Sequence, residues 1–309
     1  MKRKILQQLI NWKNNPKRMP LIVNGARQVG KTYILKEFGN RHYSQVVYIN
    51  LETNLSINSY FDTDINPLRI IQYLETVNNT RIIPGETLII LDEIQSCTRA
   101  LTSLKAFCED APEFHIVAAG SLLGVAINRE KFSYPVGKVD ELSMFPMDLE
   151  EFLWAMDREM LSYEIINHFT SNEAMPDILH FQALDLYKQY LIVGGMPAAV
   201  LEFIETKSLI TATDIQGRVL NEYIADMAKC ASATTSVKIR ACYNSIPAQL
   251  AKENKKFQYK MVHRGGTASI FGSQSNGSSM QVLYLNVKKL HMAFCLSQLM
   301  LMGVILNFI

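Results

Sequence analysis

Cysteine is scarce in this chain and unpatterned. The five residues at 97, 108, 230, 242 and 295 form no C-x-x-C pair and are odd in number. That argues against a disulfide framework and for a reducing, cytoplasmic setting. Six histidines are scattered without H-E-x-x-H or comparable spacing, so no transition-metal centre is indicated. Neither sign of charge is in excess: 31 Lys and Arg against 29 Asp and Glu leave +2, so bulk charge selects no class of partner. Internal repeats and low-complexity tracts are absent as well. The N-terminus is basic but lacks the continuous apolar stretch and small-residue cleavage site of a signal peptide. Its apolar residues Ile5, Leu6, Leu9 and Ile10 are helix-spaced and predict a short packing helix. A chain of 309 residues has room for two domains and a third small one.

What is present is one stretch with a mechanical meaning. Gly25-Ala26-Arg27-Gln28-Val29-Gly30-Lys31-Thr32 fits G-x-x-x-x-G-K-[ST] without a gap. Pro20–Asn24 before it reads as a short buried strand, and Tyr33–Phe38 after it as the opening of an amphipathic helix. Strand, loop and helix in that order make a phosphate-binding loop rather than a glycine-containing turn. Gly25 and Gly30 let successive N–H groups point inward, where the helix N-terminus adds partial positive charge. Residues 25–33, Tyr33 included, form the expected nucleotide site, with Lys31 reaching the β- and γ-phosphates and Thr32 offering its hydroxyl to Mg2+.

Further along, Val46–Leu51 reads as a second strand, residues 67–77 as a helix and Thr87–Leu91 as an apolar strand ending in Asp92 and Glu93. A strand bare of polar residues is buried on both faces, as in a parallel sheet between helices. Acids at its C-terminal end lie where open α/β sheets bind ligands. Asp92 is expected to hold Mg2+, directly or through water, and Glu93 to polarise the attacking water; the alternative is an ordinary helix cap. A helix around Leu101–Glu109 leads to a fourth strand, Phe114–Ser121. If that strand lies between the other two, Ser121 ends near the γ-phosphate, where its hydroxyl could sense phosphate or orient water; otherwise Gly120-Ser121 is only a turn. His115, in mid-strand, reads as a core or sheet-face residue. Val139, Leu142 and Phe145 suggest a last strand closing the domain near residue 148.

These segments resemble a known family. GARQVGKT, YINLE (48–52), LIILDEIQ (88–95), AAGSLLG (118–124), YPVGKV (134–139) and FPMDLEEFL (145–153) are similar to prokaryotic AAA-type P-loop ATPases. Members carry a C-terminal domain of unknown function thought to resemble restriction-endonuclease folds. The likeness continues through YLIVGGMPAAV (190–200), EYIADMAKCA (222–231) and SIPAQLAKENKKFQYK (245–260). The resemblance implies ATP and Mg2+ as cofactors, with Gly25 to Thr32, Asp92 and Glu93 as the site. It also implies an α/β fold: a P-loop NTPase parallel sheet with flanking helices over 1–148, a helical lid or winged-helix-like region over 149–235, and the start of an effector domain over 236–272.

Residues 238–264 concentrate charge, with seven Lys and Arg against Glu253 alone and with Phe257 and Tyr259 interleaved. Lys252, Lys255, Lys256 and Lys260 are the candidates for DNA contact through phosphate neutralisation and base stacking, against the alternative of a solvated helix face. Arg218 and Lys138 are candidates for a γ-phosphate contact, against surface charge. The expected activity is ATP hydrolysis coupled to the C-terminal domain; the alternative is a nucleotide-gated switch with little turnover. A protein partner and a homo-oligomer are compatible with either.

The resemblance stops after Gly272. Leu290–Ile309 is a mostly apolar 20-residue run that could be taken for a tail anchor, yet a reading-frame shift near Gly272–Ser273 accounts for it better, so no genuine membrane span is expected. Permissible codons for Ser275–Val287, read one base earlier, spell Ile-Gln-Trp-Leu-Ile-His-Ala-Gly-Ile-Val-Leu-Lys-Cys, a family-like amphipathic helix. Residues 273–309 are therefore expected to be out of frame and the effector domain incomplete. Gene sequencing checks this: codons that do not give that string in the neighbouring frame end the idea.

Overall fold

Val- and Ile-rich runs of five to seven residues alternate with helix-spaced runs over the first 146 residues, a pattern that builds a parallel sheet with helices on its faces. The structure is a computed structural model that describes residues 1–121 and 135–229. Beyond these it describes only 237, 240, 241, 243–245, 248, 249, 258–262 and 267. The expected out-of-frame segment 273–309 lies outside the described residues. The chain divides into two units, Met1–Pro146 and Met147–Ile309.

In the first unit the strands are β1 (Leu21–Gly25), β2 (Gln45–Asn50), β3 (Thr87–Asp92), β4 (His115–Ser121) and β5 (Asp140–Met144). They form one sheet in the order β2-β3-β4-β1-β5, with every pair parallel. The fold is therefore α/β, with β4 between β1 and β3 as the position of Ser121 required. Every residue of β1 and β3 is buried, as strands covered on both faces must be. The helices are α1 (Ile5–Asn14), α2 (Lys31–His42), α3 (Leu55–Thr63), α4 (Pro67–Asn78) and α5 (Thr98–Asp110). Helix α1 packs through Ile5, Leu9 and Trp12. Helix α4 begins with Asn66 accepting the Arg69 N–H and Pro67 in its first turn, where a missing N–H costs nothing. Helix α3 is not evident in the sequence: it buries only Ile57 and Phe61, too few to set up a periodic signal.

His115 is buried in the core, one of the two places expected for it, although it opens β4 rather than lying in mid-strand. It is 5% exposed, its Nδ1 shares a 2.7 Å hydrogen bond with the Tyr43 hydroxyl, and the Trp12 and Tyr43 rings meet it edge-on. Burial, with the Arg18 and Lys13 charges adding to it, lowers its pKa to about 4.

In the second unit, helices α6 (Leu149–Ala155), α7 (Glu159–Ser171), α8 (Asp177–Val193), α9 (Pro197–Thr206) and α10 (Leu209–Lys229) succeed one another. Asp148 caps α6 by accepting the Glu151 N–H at 2.9 Å. Phe152 packs on the rings of Tyr190 and Phe203. Gly194 and Gly195 turn the chain between α8 and α9. A Cβ on Gly195 would fall 2.0 Å from the Met147 carbonyl oxygen, so only glycine allows that approach. Among the described residues no helix is long and apolar enough to cross a membrane.

Two stability predictions follow. The folded state resists protonation of His115 while the unfolded chain takes up a proton at the ordinary value of 6.5. Stability is thus full above pH 6.5 and falls as pH drops towards 4, by at most about 3 kcal/mol from this group. Urea denaturation across that range should show the slope, and His115→Gln, whose amide can still meet Tyr43, should flatten it. The second concerns Gly25, where a Cβ would lie 2.4 Å from the Met144 backbone oxygen. Gly25→Ala must push β1 from β5 and should cost about 1–3 kcal/mol. Gly217→Ala, with open space around it in α10, should be neutral or stabilising in the same thermal-unfolding measurement.

Candidate nucleotide site

Parallel pairing brings the C-terminal ends of all five strands to one edge of the sheet. Gly25 is in register with Ser121 on one side and Met144 on the other, and Asp92 with Asn50. The loop leaving β1 therefore opens beside the acids that end β3. Within it Gln28 and Gly30 take left-handed conformations, φ 62° and 94°. Glycine adopts that at no cost; glutamine does so under mild strain of the kind stored at functional loops. Gly30 precedes α2 and no side chain caps the helix, so its N-terminal turn faces the loop.

Lys31 is 9% exposed, and its Nζ donates to the carbonyls of Gly25 (3.1 Å) and Ala26 (2.8 Å). Burial lowers its pKa, the Glu93 and Asp92 charges raise it, and the Arg27 charge lowers it. Thr32 donates its hydroxyl to Asp92 Oδ2 at 2.7 Å. Asp92 is 3% exposed, and its Oδ1 accepts the Glu93 N–H at 3.0 Å. The cap alternative does not hold for this acid pair: Asp92 is the last strand residue, and Glu93 opens a single 3-10 turn (Ile94–Ser96) without capping it. Glu93 sits in the left-handed region at φ 54°, and its Oε2 accepts the Gln95 amide.

A hydroxyl and a buried carboxylate converging beside a phosphate loop form an all-oxygen donor set that suits a hard divalent cation such as Mg2+. Tyr48 escaped the sequence reading. Its hydroxyl donates to the same Asp92 Oδ2 at 2.9 Å, and the Lys36 ammonium lies 3.6 Å from its ring centre. Burial, followed by the bond to Asp92, pushes its pKa up to about 12, so it remains a donor at every physiological pH.

Other candidates fall elsewhere. Tyr33 is exposed on the first turn of α2. The Ser121 backbone ends β4 next to Gly25, and its side chain lies outside the described residues. Lys138 is not at the phosphate end: it precedes β5, on the opposite edge of the parallel sheet, and pairs with Glu109 at 3.0 Å. Arg218 is an exposed residue of α10 in the second unit. Lys252, Lys255 and Lys256 lie outside the described residues; Lys260 is exposed in the short helix Tyr259–Val262.

Comparison with known proteins agrees with the loop and sheet. A family model described as an AAA domain matches residues 17–153, and one described as a domain of unknown function (DUF8612) matches residues 184–273. A search of characterised proteins by sequence finds no match. Among solved structures the chain is similar to AMPPCP-bound DnaA from Aquifex aeolicus, at 12% identity over 97% of this chain and 92% of that one, with a TM-score of 0.35. It is also similar to PCH-2 from C. elegans, at 10% identity over 68% and 65%, again with a TM-score of 0.35. Neither likeness is close enough to carry a conclusion. The AAA-domain family model spans the phosphate loop and all five strands of the sheet.

Proposed function

We propose that this protein is a Mg2+-dependent ATPase whose nucleotide cycle is coupled to its C-terminal region, the incomplete start of an effector domain of restriction-endonuclease-like type that contacts DNA. ATP turnover is retained while the downstream task is impaired. The observation that supports it best is the meeting of the Thr32 hydroxyl with the Asp92 carboxylate at 2.7 Å beside the phosphate loop. Backbone N–H groups of residues 25–32 cradle the phosphates, and Lys31 trades the Gly25 and Ala26 carbonyls for phosphate oxygens. Thr32 and Asp92 would hold Mg2+, which supplies charge neutralisation at the phosphates when bound. Tyr48 fixes the Asp92 carboxylate. Glu93, released from Gln95, orients and polarises the attacking water, and Ser121 senses the γ-phosphate. The free thiols of Cys97 and Cys108 suit the cytoplasm. Lys252, Lys255, Lys256 and Lys260 supply the DNA contact.

Lys31→Ala should weaken ATP binding at least about tenfold, since the lost bonds are charge-assisted. Glu93→Gln should bind ATP normally while turnover drops about a hundredfold or more. Fluorescent-nucleotide titration and phosphate release measure the two, with and without DNA over a salt series. Undiminished binding by Lys31→Ala removes the site. Wild-type turnover no greater than that of Lys31→Ala replaces the hydrolase with a nucleotide-gated switch. An ATPase rate and DNA affinity insensitive to salt remove the basic segment from the reading.

A further inference from the structure

Arg3 belongs to no part of the chemistry above, yet it is 7% exposed. A guanidinium is costly to bury, so its partners indicate what it is for. Its Nη1 donates to the carbonyl of Val29, inside the phosphate loop, at 2.8 Å, and its Nη2 donates to the carbonyl of Phe145 at 2.5 Å. One planar, rigid group thus joins the loop to the residue that follows β5. Phe145 and Pro146 end the first unit, and Met147 begins the second. Met147 is held as firmly on its own side. Its N–H donates to Gly195 O at 2.7 Å, and its carbonyl accepts the Tyr190 hydroxyl at 2.8 Å. Tyr190 is wholly buried, and the place of Gly195 admits no side chain.

We infer that Phe145-Pro146-Met147 is the coupling element of this protein, with Arg3 tying it to the phosphate loop and Tyr190 and Gly195 tying it to the second unit. The inference rests on the reading of the loop as an ATP site. Filling the loop with phosphate redirects its N–H groups, and the Val29 carbonyl belongs to the same short backbone. A shift there is passed by Arg3 to Phe145, from which the chain runs directly through Pro146, whose ring fixes its own φ, to Met147. Because Met147 is clamped by two hydrogen bonds, the movement is delivered to α8 and to the α8–α9 turn. Arg3 and Tyr190 are positioning residues in this scheme: neither contacts the nucleotide.

Hydrogen–deuterium exchange on the full chain tests it, with Mg2+ and saturating non-hydrolysable ATP analogue. Nucleotide should protect residues 21–40 and also change exchange over 147–206. In Arg3→Met the protection at 21–40 should persist, with nucleotide affinity within about threefold of wild type, while the change at 147–206 is lost. Tyr190→Phe, which removes one hydroxyl at the other end and keeps the ring, should give the same loss and decides the matter if Arg3→Met does not fold. Protection at 21–40 without any change at 147–206 in the wild type overturns the inference alone. So does a full change at 147–206 in the variants. An absence of protection at 21–40 in the wild type overturns the ATP reading and this inference with it.

Discussion

The buried ammonium of Lys31 is the constraint around which the first unit is arranged. A cation with so little exposure must be surrounded by oxygen, and here two carbonyls of its own loop supply it while two carboxylates stand nearby. The loop must therefore curl back on the first turn of α2, which is possible only because Gly30 and Gln28 accept left-handed backbone. The carboxylates must be close, which requires β3 to end two strands away on the same side of a parallel sheet. Loop, helix and strand order are thus consequences of one solvation problem. Burial disfavours the charge that the carboxylates favour, so this cation is held by opposed influences.

Much of this was legible in the sequence because the signals are local and redundant. The motif fixes spacing from Gly25 to Thr32, and the Val- and Ile-rich runs fix β2, β3 and β4 to within a residue. Asp92 and Glu93 stood out as candidates because they end an apolar strand about 60 residues after a phosphate-loop motif, a context in which an ordinary helix cap is the lesser reading. What was not legible depends on pairing across the sheet. Tyr48 alternates with the buried Val47 and Ile49 and so looks like an ordinary half-exposed strand residue. Only the register that sets Asn50 beside Asp92 brings its hydroxyl to the carboxylate. Arg3 reads as one of several solvated N-terminal bases until the chain returns, 142 residues later, with Phe145. Lys138 misled for the converse reason: YPVGKV is a motif segment of the family, but its lysine precedes β5 and so belongs to the edge remote from phosphate.

Asp92 Oδ2 shows how the two kinds of information combine. It accepts two hydroxyls, one from the motif and one from a neighbouring strand, and its partner oxygen takes a backbone N–H. A carboxylate so fully engaged has a fixed rotamer, and preorganisation of that sort lowers the cost of gathering ligands around a cation.

The outer rim of β5 carries a different consequence. This strand has a pairing partner on one side only among the described residues, and a parallel sheet with an open rim invites another chain to add a strand. Asp140 and Glu141 stand at its start, and Asp140 is anchored there by accepting the Met19 N–H at 2.9 Å. A second copy laid alongside would bring its own pair of carboxylates against these. Like charges therefore oppose parallel, in-register pairing of one β5 with another.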